Sequence, residues 1–81
     1  MSELFLTNPR AHRIIGRRAM HRRQSLLLDI SSVAKSVGIG QELLQEFEKG
    51  KGHLSDEQFN RLQDTLRIST HEICHGILSA A

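Results

Sequence analysis

Residues 29–50, DISSVAKSVGIGQELLQEFEKG, constrain the fold of this chain more than any other stretch. Asp29 can start a helix, because its carboxylate can accept an orphan backbone N–H. Val33, Ala34 and Val37 then fall on one face at helical spacing. Gly38 follows where a helix needs a left-handed residue to stop, and glycine takes that shape without a steric cost. Ile39 is apolar in the middle of the turn and reads as a plug between two helices. A second short helix is expected from about Gly40 to Lys49, with Leu43, Leu44 and Phe47 as its apolar stripe and Gly50 at its end.

Two short helices across a glycine turn form a helix-turn-helix unit. The flanking sequence supplies three more helices. Asn8 and Pro9 are a cap followed by a residue that loses no helical hydrogen bond. Ala11, Ile14, Ile15 and Ala19 then make an inward stripe. Residues 25–28 link this helix to the next, and one or two of Leu26, Leu27 and Leu28 should enter the core. After the loop Lys51-Gly52-His53, the pair Ser55 and Gln58 reads as a capping box for a helix carrying Phe59, Leu62 and Leu66. Ile68 should plug the next turn. Ser69 and Glu72 repeat the capping box for a last helix with Ile73, Ile77 and Leu78. The expected fold is all-α, a compact five-helix bundle with a central helix-turn-helix. Residues 1–8 form an N-terminal arm, in which Leu4, Phe5 and Leu6 fit neither helical nor strand periodicity. Residues 9–81 form one domain.

With 81 residues, no Trp, no Tyr and three Phe, the core must be small and mainly aliphatic, and such a chain gains from dimerisation. The single cysteine, Cys74, cannot form an internal disulfide and suits a reducing cytoplasm. No stretch has the length or apolarity of a membrane span, and no signal-peptide pattern opens the chain. Charge is unevenly spread. Residues 1–39 carry net +5 and residues 40–81 net −3, within a total of +2. Six arginines lie between residues 10 and 23. The planar guanidinium fork matches phosphate oxygens, so this cluster points to an anionic partner. The alternative is a solvated helix face, some of it paired with the acidic second half.

His71-Glu72-Ile73-Cys74-His75 matches the H-E-x-x-H zinc-protease pattern. A catalytic zinc needs a third protein ligand and an open cleft, and Glu72 already belongs to a capping box. The match is therefore read as accidental, with no metal or other cofactor, and Cys74 as a small buried hydrophobe. Gly38-Ile39-Gly40 is too short for a phosphate-binding loop. No nucleophile stands with a base. The chain is not expected to be an enzyme.

The chain resembles the phage-repressor-like (Xre-type, lambda-repressor-like) helix-turn-helix domains. The resemblance covers roughly residues 11–78. Its matching residues are Ile15-Gly16-Arg17-Arg18, Val33-Ala34, Val37-Gly38-Ile39 and Phe47-Glu48-Lys49-Gly50-Lys51, followed by Phe59 and Leu62. The chain departs from the family at Arg22, where an apolar residue is usual, at Met20, where a polar residue is usual, and at Ile30, where a phosphate-binding Gln is frequent.

The resemblance implies a transcriptional regulator, a repressor acting as a homodimer on a palindromic stretch of double-stranded DNA. Gln41, Glu42, Gln45 and Glu46 would then face base edges, with Gln41 suited to adenine. Arg17, Arg18, Arg22, Arg23, Lys49 and Lys51 would hold phosphates. Ile73, Ile77 and Leu78 would form the dimer contact, helped by Phe5. The alternative is a protein-binding module of the same fold, an antiactivator, antitoxin or adaptor. It would use the acidic face of Glu42, Glu46 and Glu48 with an exposed Leu43.

Overall fold

The first helix begins at Asn8, whose side-chain oxygen accepts the Ala11 N–H at 3.0 Å. The computed structural model describes residues 8–77. Helix α1 spans Pro9–Ser25 and turns Ala11, His12, Ile15, Gly16 and Ala19 inward. Beyond it the backbone passes through Leu27 with φ +57°, a left-handed conformation that leucine seldom adopts. Asp29 then accepts the Ser32 N–H at 2.9 Å and opens α2, Ile30–Val37. Gly38, at φ +84°, closes α2 as its spacing predicts. The Ile39 N–H donates to the Ala34 carbonyl at 3.0 Å, and its half-buried side chain packs on the core.

Helix α3 spans Gln41–Glu48. Helix α4, Asp56–Leu66, starts in the expected capping box. Ser55 Oγ accepts the Gln58 N–H at 3.1 Å, and Gln58 returns the bond to the Ser55 N–H at 3.0 Å. Helix α5, Thr70–Cys74, starts in the same way from Ser69 and Glu72. The described fold is thus all-α, with five helices. It differs from expectation at the last of them. Helix α5 stops before Ile77, because Gly76 takes a left-handed φ of +81° and His75 is extended.

The core lies where the inner faces of all five helices meet. Phe47 and Phe59, with ring centroids 6.2 Å apart, fill its centre among Ile15, Val33, Val37, Leu44, Leu62 and Leu66. Helix α2 packs on α3 and α4, while α1 packs on α3, α4 and α5. Ile73 is fully buried and Ile77 is 6% exposed, both within this cluster. That corrects their expected place at a dimer contact: two isoleucines already desolvated inside one chain offer no surface to a second. Leu78, the third residue of that contact, and Phe5 of the arm lie outside the described residues. Of the three linking leucines, Leu28 packs partly on the core and Leu27 is 92% exposed. Among the described residues no helix is long and apolar enough to cross a membrane.

Candidate nucleic-acid interface

Helix α3 is held from behind by its buried Leu44, Phe47 and Glu48. Its approach to α1 is unusually close. A Cβ added at Gly16 would lie 2.1 Å from the Phe47 carbonyl oxygen and 3.2 Å from that of Glu48. Only a residue without a side chain lets the two backbones meet there. A second glycine works the same contact from the other side. Gly50, at φ +81°, lies against the stem of Arg13, where an added Cβ would be 2.6 Å from Arg13 Cγ.

So braced, α3 presents Gln41, Glu42 and Glu46 to solvent, with Gln45 half-buried beside them. Gly40 gives α3 no side-chain cap, and Glu42 is the acid in its first turn, where negative charge suits the helix dipole. Leu43, expected to be exposed, is half-buried. It packs on the core and against Gly52, where an added Cβ would lie 3.0 Å from Leu43 Cδ1. The loop after α3 therefore covers the leucine that would have served a protein-binding face. The third acid of that face, Glu48, points inward and is buried.

The six expected phosphate ligands divide into two groups. Arg17, Lys49 and Lys51 are exposed, and none enters an ion pair among the described residues. Arg13 joins them: it is exposed, leans on Gly50 and lies one turn before Arg17 on α1. Gly50, which stands between Lys49 and Lys51 just after α3, lies against Arg13, and Gly16, next to Arg17, lies against the last residues of α3, so the two arginines flank the segment that bears both lysines.

Arg18, Arg22 and Arg23 are corrections. Each is engaged within the fold. Arg18 Nη1 donates to the carbonyls of Ile73 at 3.1 Å and His75 at 2.7 Å, at the end of α5. Arg22 donates from Nε to Leu66 and from Nη2 to Arg67, both at 2.9 Å, at the end of α4. Helix C-termini leave carbonyls without intrahelical partners, and the fork of a guanidinium serves two at once. Arg23 is bidentate to Glu48, at 2.8 and 3.2 Å, and reaches the Leu28 carbonyl at 3.0 Å. The hydrogen bond to Glu48 also strengthens the hold of Arg23 on its proton. The sequence carried a signal of this. Residues 11, 15, 18 and 22 continue a single helical stripe, so Arg18 and Arg22 extend the inward face of Ala11 and Ile15.

His12 was missed as a structural residue. It is 3% exposed, between Phe47 and His53, with ring centroids 5.6 and 5.0 Å away. Burial lowers its pKa below the usual histidine value, partly offset by a hydrogen bond with the Gly52 backbone. His71 and His75 have centroids 5.5 Å apart, and no third His, Cys, Asp or Glu among the described residues is placed to share a metal with them. Burial pushes the half-buried Cys74 thiol up, away from the reactive thiolate form.

Compared with known proteins, the chain matches no protein-family model, no curated protein and no solved structure.

Proposed function

We propose that the chain is a sequence-specific DNA-binding regulator of the helix-turn-helix kind, acting as a homodimer that represses by occupying its site. The observation that carries this reading is the polar face of α3 beside Arg13, Arg17, Lys49 and Lys51, four exposed cations in no ion pair among the described residues. Helix α3 would enter the major groove with Gln41 and Glu42 leading and Gln45 and Glu46 one turn behind. The four cations would hold the flanking phosphates. On this reading Arg18, Arg22 and Arg23 brace the fold instead of holding phosphate: Arg18 Nη1 and Arg22 Nε and Nη2 donate to carbonyls, and Arg23 pairs with Glu48.

Four phosphate contacts per copy give a dimer a slope of log K against log salt of about −7. The test is a titration with a random pool of short duplexes at low and near-physiological salt, followed by sequencing of the bound fraction. A palindromic motif should survive the higher salt. Gln41→Ala should relax base choice at its position, and Arg17→Ala should weaken all sequences alike and flatten the salt slope by about 1 per copy. Absence of any enriched motif at either salt would end the DNA reading.

One observation favours the second reading, a module that binds a basic protein. Glu42 and Glu46 stand one turn apart on α3, both exposed and neither in an ion pair among the described residues. The inward turn of Glu48 and the covering of Leu43 remove the rest of that face. A protein partner lost on Glu42→Lys, in a chain that selects no DNA sequence, would favour it.

A further inference from the structure

Leu27 is the large apolar residue left in solvent among the described residues, 92% exposed at φ +57°. Both properties disfavour leucine. Glycine or asparagine would end α1 without steric strain and with less apolar surface. Among the described residues nothing covers the side chain. Beside it, Leu26, Leu28, Thr65 and Arg67 line an open cleft of about 260 Å³. An apolar cavity of about 150 Å³ takes benzene, so this cleft has room for an aliphatic side chain.

A protruding knob and a fitting cleft on one patch meet the requirement of a two-fold contact, in which each copy supplies both halves. The surrounding charge agrees. Asp29 adjoins Leu28, Asp64 adjoins Thr65, and Arg67 lies on the rim, all three exposed. The patch therefore carries both signs, and the arginine of one copy can face an acid of the other.

We propose that Leu27 seats in the Leu26–Leu28–Thr65–Arg67 cleft of a second copy of this chain, and that the reciprocal contact makes a two-fold dimer. The two segments that form the patch, residues 26–29 and 64–67, are far fewer than the roughly 20–30 residues a side of a stable interface. Association is accordingly weak and concentration-dependent. This contact would supply the homodimer of the DNA reading, yet it does not rest on that reading, because it is measured without DNA.

Sedimentation equilibrium of the full chain from micromolar to millimolar concentration tests it. The unmodified chain should pass from monomer to dimer. Leu27→Asn should melt no lower than the parent, since asparagine tolerates the left-handed backbone. It should weaken dimerisation about a hundredfold, because two leucines lose their burial at once. Thr65→Lys, which places a charge in the cleft, should weaken it with Leu27 untouched. A parent chain still monomeric at millimolar concentration would overturn the proposal, as would a dimer that both variants leave unchanged.

Discussion

Removing Arg23 alone should unfold this protein at temperatures the parent tolerates. Glu48 is 7% exposed at its side chain, and its hydrogen bonds among the described residues come from Arg23, itself 14% exposed. In Arg23→Leu the carboxylate stays buried with neither bond. Breaking one side of a buried ion pair costs about 3–5 kcal/mol, because the remaining charge stays desolvated without its partner. A loss of about 3 kcal/mol lowers Tm by roughly 12–24 °C in a domain of this size. Glu48→Leu should cost comparably, because among the described residues Arg23 then keeps the Leu28 carbonyl alone. The double variant Arg23→Leu/Glu48→Leu leaves no buried charge and should return to within about 1 kcal/mol of the parent. Urea unfolding and thermal melts of all four proteins close the cycle, and the coupling should stabilise by about 3 kcal/mol or more. Additive losses, or an Arg23→Leu protein within 1 kcal/mol of the parent, would mean that the pair is a surface contact and that Arg23 remains free to bind phosphate.

The other expectations concern the packing around α1. Alanine in an ordinary helix interior gains about 1 kcal/mol over glycine. At Gly16 the sign should reverse to a loss of about 2 kcal/mol or more in urea unfolding, because the new Cβ would lie 2.1 Å from a backbone oxygen that cannot give way. Arg22→Ala should cost about 2 kcal/mol by leaving the Leu66 and Arg67 carbonyls without their donor, and Arg22→Lys should recover only part of the melting temperature. His12 has a folded pKa below its unfolded value of 6.5, so between the two the unfolded chain binds more protons and stability rises with pH. Melting temperature should therefore fall as pH drops below 6.5 and level off under the folded pKa. The slope should shrink in His12→Gln, and an unchanged slope would remove His12 as its source.

Much of the backbone was legible in the sequence because its signals are local. Asn8 serves Ala11, Asp29 serves Ser32, Ser55 exchanges bonds with Gln58, and Ser69 with Glu72, each pair three residues apart. Gly38 and Gly50 take the left-handed backbone that their positions after α2 and α3 called for. Gln41, Glu42 and Glu46 face outward because the apolar spacing of Leu44 and Phe47 leaves them no other side. The spacing of Ile73 and Ile77 was equally plain, but apolar spacing alone does not tell an inner face from a contact between two copies.

Short-range hydrogen bonding and helical spacing thus determined the five helices, their starts and most of the core. The tertiary structure alone decided which cations are bonded within the described fold. Six arginines within residues 10–23 look alike as a charged helix. They differ in what the rest of the chain brings to them: the ends of α5 and α4 reach Arg18 and Arg22 from 55 and 44 residues away, and Glu48 reaches Arg23 from 25. Their partners are backbone carbonyls and a buried carboxylate, groups whose position exists only once the helices have packed. The same packing draws Ile73 and Ile77 inside and leaves Leu27 out.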